Sequence, residues 1–69
     1  MSARSWPLQR GGEIDFWTDD RGWAVDRIGP HADWCDLIAC GLPSVAAAHA
    51  VARQYLAKNG LRRTIEIVP

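Results

Sequence analysis

The run EIDFWTDDRGWAVDRI, residues 13 to 28, leaves the chain little choice but a β-hairpin. Glu13 to Thr18 and Trp23 to Ile28 are rich in β-branched and aromatic residues, which fit a pleated, half-buried surface. Between them Asp19-Asp20-Arg21-Gly22 reads as a four-residue loop, with Gly22 free to take the left-handed conformation its last position needs. Symmetric closure sets Thr18 opposite Trp23, Phe16 opposite Val25 and Ile14 opposite Arg27. One face then carries Ile14, Phe16, Trp23 and Val25, a core face. The other carries Glu13, Asp15, Trp17, Ala24, Asp26 and Ile28.

The second firm element is a helix. Ser44 is suited to cap it, and Ala48, Val51, Ala52, Tyr55 and Leu56 recur at the spacing of one buried stripe. Asn59-Gly60 stops it, and Leu61 is expected to fold back on Leu56 in a Schellman ending. Gly29-Pro30 ends the hairpin, Asp36 to Cys40 suggests a short third strand, and Thr64 to Val68 reads as a last strand with Ile65 and Ile67 on one face. Residues 1 to 12, with Pro7 and Gly11-Gly12 and no periodicity, are expected to form a loosely held, flexible N-terminal arm before a single domain spanning 13 to 69. The expected fold is α+β: a small antiparallel sheet of hairpin, short third strand and C-terminal strand, with one helix packed on one face.

The hairpin sequence GWAV, the short third segment, the S-x-x-A-x-x-A pattern at Ser44, Ala47 and Ala50, and the apolar last strand resemble small uncharacterised bacterial and phage ββ(β)αβ domains. The resemblance covers roughly residues 13 to 68 and implies a fold, with no catalytic residues to carry across.

At 69 residues the chain buries only about 60% of the surface its unfolded form exposes, so its core is thin. Its eight Lys+Arg balance eight Asp+Glu, and a neutral chain lacks the charge excess on which phosphate-backbone binding depends. No apolar run has the length of a membrane span or a signal peptide, so a cytoplasmic, bacterial or phage-encoded protein is expected.

His31, Cys35, Cys40 and His49 are metal-type ligands, but their H-x3-C-x4-C-x8-H spacing lacks the close cysteine pair of zinc motifs. The simpler expectation is that Cys35 and Cys40 pack as small apolar residues. A Cys35–Cys40 disulfide requires a looped segment, since residues five apart on a strand point to opposite faces. Ser44 with His31 or His49 and Asp33 or Asp36 supplies the residue types of a nucleophilic triad, yet Ser44 is better spent as a helix cap. No cofactor and no enzymatic activity are expected.

The four tryptophans carry more weight. Trp23 and Trp34 can be absorbed as core, with Leu37 and Ile38 beside them. Trp6 and Trp17 fall where the pattern exposes them, and Trp is the residue most enriched in binding hot spots. The expected function is therefore a non-enzymatic module that docks on another protein, on analogy of size an inhibitor or modulator of a host protein encoded by a phage or mobile element. Its contact set would be Trp17 as anchor, Asp15 and Asp26 as polar rim, with Trp6 and Arg53. Arg53, Arg62 and Arg63, with Trp17, form the alternative nucleic-acid surface, and a structural zinc domain is the third reading. Ala46, Ala50 and Ala57 on the outer helix face, or an open sheet edge, suit self-association as a homodimer.

Overall fold

A computed structural model of the chain describes residues 4 to 64. The hairpin forms from β2 (Glu13–Asp19) and β3 (Gly22–Ile28), in the register the pattern predicts: Ile14 with Arg27, Phe16 with Val25, Thr18 with Trp23. The loop is tighter than expected. Asp19 pairs with Gly22, so only Asp20 and Arg21 turn the corner, and the Asp19 carboxylate accepts the Arg21 N–H at 2.8 Å. Gly22 takes a positive φ of 127°, and a Cβ there would come within 2.6 Å of the Leu42 carbonyl oxygen, so the strand beyond as well as the turn requires glycine.

Residues 4 to 8 correct the expectation of a loose arm. Arg4–Pro7 is a strand, β1, antiparallel to β2 with Trp6 opposite Ile14. Trp6 and Leu8 are buried in the main core. Alternating Trp6 and Leu8 supply two inward apolar groups, and four residues are too few for periodicity to show in sequence. Gly11 and Gly12, both at positive φ, turn the chain from β1 into β2. The expected third strand is longer than its apolar run: β4 spans Cys35–Leu42 and pairs with the free side of β3. The sheet is a four-stranded antiparallel meander in the order β1-β2-β3-β4. Residues 65 to 69, which hold most of the expected last strand including Ile65 and Ile67, lie outside the described residues.

The helix, α1 (Val45–Asn59), lies over the inner face of the sheet. Ser44 caps it, its hydroxyl oxygen accepting the Ala47 N–H at 3.1 Å. At the other end Gly60 is left-handed and the Leu61 N–H reaches the Leu56 carbonyl at 2.9 Å, the Schellman geometry expected. The buried helix positions are Ala48, Ala52 and Leu56, against Phe16, Ile14 and Val25 of the sheet. Alanine at the closest approach lets the helix sit low, and the large sheet side chains fill the space beside it.

Two core assignments are corrected at β4. Leu37 is 59% exposed and Trp34 44% exposed, while Ile38 packs against the core as expected. Leu37 pairs with Asp26 and takes the outer face, the adjacent Ile38 takes the inner one as strand alternation requires, and Trp34 lies just before β4. The Trp34 indole instead lies over Gly29, where any Cβ would collide with it, and the Arg27 guanidinium sits 5.3 Å from its ring centre.

Candidate functional site

The helix covers one face of the sheet, so the residues that alternate with the core residues emerge together on the other. Antiparallel register arranges them in transverse rows. Ser5, Asp15, Asp26 and Leu37 form one row, one residue from each strand in turn. Pro7, Glu13, Ile28 and Cys35 form the next. On the far side of the first row stand Trp17 and Ala24, directly opposite each other.

Trp17 is half-buried, and its Nε1–H donates to the Asp26 carboxylate at 2.9 Å. Asp26 lies two residues beyond the cross-strand neighbour of Trp17, so the indole is drawn diagonally across Ala24. That accounts for the burial of Ala24 on a face that no other described element covers. The hydrogen bond holds the ring in one orientation. Asp15 and Asp26 are direct cross-strand neighbours. Leu37, on the other side of Asp26, is the most exposed large apolar side chain among the described residues. No Lys or Arg occupies these outer-face positions.

The structure thus unites three of the expected contact residues, Trp17, Asp15 and Asp26, and separates the other two. Trp6 is not an exposed anchor. Its ring is 4.8 Å from that of Phe16 and 5.0 Å from that of His49 on the inner face, with the Arg63 guanidinium 3.9 Å from its centre. Arg53 is exposed but belongs to the same side, 5.7 Å from the Trp6 ring. The nucleic-acid set divides in the same way, since Trp17 lies across the sheet from Arg53 and Arg63. Ala46, Ala50 and Ala57 are exposed on the helix, as the wheel predicts.

The metal-type residues are not brought together. Cys35 and Cys40 are exposed and free on β4, so they do not pack as core. His31 is exposed in the turn before it, and His49 is held between Trp6 and Phe16 on the inner face. Among the described residues no three His, Cys, Asp or Glu side chains converge on one point. Ser44, the nucleophile of the paper triad, has its hydroxyl engaged by the helix. Leu37 joins this outer-face group through its place opposite Asp26, which is legible only once the register of β4 is known. Among the described residues, no helix is long and apolar enough to cross a membrane.

No family model, no curated protein and no solved structure matches the chain.

Proposed function

We propose that the chain is a non-enzymatic protein-binding module that docks through the outer face of its sheet and modulates or blocks its partner. The observation that carries this is the Trp17–Asp26 pair: a large aromatic ring, half exposed, pre-oriented by a 2.9 Å hydrogen bond on an uncovered face. Pre-orientation lowers the ordering cost of binding, and tryptophan supplies the contact area typical of hot spots. Glu13, Asp15 and Asp26 give the face an acidic character with no cation among its described positions, so the partner surface that fits is an apolar patch flanked by Lys or Arg. Leu37 extends the apolar contact across the row.

The test is capture of partners from the native host with wild type and with Trp17→Ala, each shown to be folded by circular dichroism. A captured protein lost with Trp17→Ala, corresponding to about 2 kcal/mol or more of binding energy, supports the proposal. Asp26→Asn, which weakens acceptance of the indole N–H, should lower affinity less. A folded Trp17→Ala protein that keeps every partner would sink it.

A second reading rests on charge placement. Arg10, Arg53, Lys58, Arg62 and Arg63, five of the eight Lys+Arg of the chain, gather around the end of α1. Two adjoining grooves there share Gly60, Leu61 and Arg62, with Arg53 lining one and Arg10 the other. An anionic partner such as nucleic acid suits this end of the molecule. Retention on single-stranded DNA that falls steeply with salt and is reduced by Arg62→Ala would favour it over docking by the sheet face.

A further inference from the structure

The neutral total of the chain hides an uneven distribution of charge. Every described Asp or Glu lies between Glu13 and Asp36, whereas the stretch from Leu37 to Thr64 holds Arg53, Lys58, Arg62 and Arg63 and no acid. Lys58 sits in the last turn of α1, where a cation answers the helix dipole. Its neighbours need a different account. Arg53 comes from further back in the helix, Arg62 from beyond its end, and Arg10 from the turn between β1 and β2 at the other end of the chain. All three are exposed, and they line the two grooves that adjoin at Gly60. No Asp or Glu is among the described residues that line either groove.

The Schellman ending builds the walls. Left-handed Gly60 lets Leu61 fold back toward Leu56, and the two grooves share Gly60, Leu61 and Arg62. The larger, about 390 Å³, adds Arg53 with the apolar Leu56 and Ala57, and it reaches the size of small-molecule sites. The smaller, about 160 Å³, adds Arg10 and Gln9 and has room for one chemical group rather than a whole ligand. Arg62 therefore belongs to two cation pairs, with Arg53 in the larger groove and with Arg10 in the smaller. Carbonyls at the end of a helix oppose an anion. Here those of Tyr55, Leu56 and Ala57 already accept from the Asn59 side-chain amide, the Leu61 N–H and the Gly60 N–H.

We infer that the two grooves are one binding site for a small organic diphosphate. One phosphate is held between Arg62 and Arg10, the next between Arg62 and Arg53, and the organic part lies over Leu56 and Ala57. A planar guanidinium presents paired donors that match phosphate oxygens, and arginines from separate elements grip linked phosphates from several sides. The site rests on the same charge placement as the nucleic-acid reading and narrows it. None of the described lining residues is aromatic, so successive bases of a single strand have no ring to stack on. Trp6, the ring beside Arg53, is buried in the core. Arg53 lies across the sheet from Trp17, so filling the grooves leaves the docking face open.

The test is an NMR titration of the backbone amides of the full chain with inorganic pyrophosphate at fixed ionic strength. Orthophosphate is the single-group comparison and single-stranded DNA the rival. The expected result is a saturable response at Gln9, Arg10, Gly60, Leu61 and Arg62, with orthophosphate bound about tenfold more weakly. Arg62→Ala, which removes the shared cation, should weaken pyrophosphate about tenfold or more, and Arg21→Ala in the hairpin turn should leave it unchanged. Arg10→Ala gives the same decision if Arg62→Ala does not fold. Shifts that never saturate, orthophosphate bound as tightly as pyrophosphate, or equal affinity in both arginine-groove variants and wild type would overturn the inference. Pyrophosphate binding without retention on DNA supports the site and removes the nucleic-acid reading. Retention on DNA with no response to pyrophosphate overturns the site and leaves that reading standing.

Discussion

Replacing Trp6 by alanine separates an N-terminal arm from an N-terminal strand more sharply than any other single change. On a loosely held arm the substitution would cost almost nothing, within about 0.5 kcal/mol as for surface positions generally. In the structure Trp6 is 5% exposed and meets Phe16 edge-on at 4.8 Å, with His49 at 5.0 Å and the Arg63 guanidinium over its ring at 3.9 Å. A buried tryptophan removes up to about 250 Å² from water. At ~25 cal/mol per Å² that is about 6 kcal/mol, an upper bound because unfolded chains already bury part of this surface. Large-to-small data place Trp→Ala at about 3–5 kcal/mol, and the aromatic and cation–π geometry argues for the upper half of that range. A domain of 69 residues has a total stability of roughly 3.5–10 kcal/mol. Trp6→Ala should therefore remove a large share of the total stability and move the denaturation midpoint well below that of the wild type. Urea denaturation followed by far-ultraviolet circular dichroism measures this without relying on the deleted fluorophore. A midpoint equal to that of the wild type would refute the packing of β1 and Trp6 into the core.

Three further changes probe single local features. Gly12→Ala places a methyl group against the Ile28 carbonyl at a φ of +77°, so both sterics and backbone conformation oppose it. A loss of about 2 kcal/mol or more is expected in chemical denaturation, and a loss below about 0.5 kcal/mol would show that the β1–β2 turn is not as described. Ser44→Ala removes the acceptor of the Ala47 N–H and should cost about 1 kcal/mol, while Ser44→Asp should restore most of it; equal stability of all three proteins would deny the cap. Gly29→Ala must push aside the Trp34 indole, which is exposed enough to move. The expected outcome is a red shift of tryptophan fluorescence with a loss of only about 1 kcal/mol, mainly the stacking with Arg27. An unshifted spectrum would count against the seat of Trp34 on Gly29.

How much could be read in advance depended on how local the determining interaction was. The hairpin register follows from alternation and a turn, both contained in sixteen consecutive residues, and Phe16 does face Val25. The helix cap, stripe and stop are likewise local, and Ser44, Ala52 and Gly60 do what their chemistry dictates. Trp6 was misplaced because its burial depends on β1 finding β2 across a turn built on two glycines, with no periodic signal in a four-residue strand. Leu37, Trp34 and the cysteines depend on where β4 begins and how it pairs with β3: Trp34 lies just before the strand, Cys35 and Leu37 lie opposite Ile28 and Asp26, and only beyond Leu37 does the register become irregular. The outer-face site was legible as far as it belonged to the hairpin: Asp15, Trp17 and Asp26 share a face because β2 and β3 pair as expected. Its fourth member, Leu37, required the third ladder.

The uncovered face follows from the size of the chain. One helix of fifteen residues can shield one side of a four-stranded sheet, and the described chain has no second helix to shield the other. A sheet left bare in this way must be polar, be guarded, or be occupied. This one is only partly polar: Asp15 and Asp26 are cross-strand neighbours, and Leu37 remains exposed beside them. A polar residue at position 37 would remove the exposed apolar surface without touching the core. An exposed apolar side chain next to an indole already fixed by a hydrogen bond is the feature of this face on which the docking proposal rests.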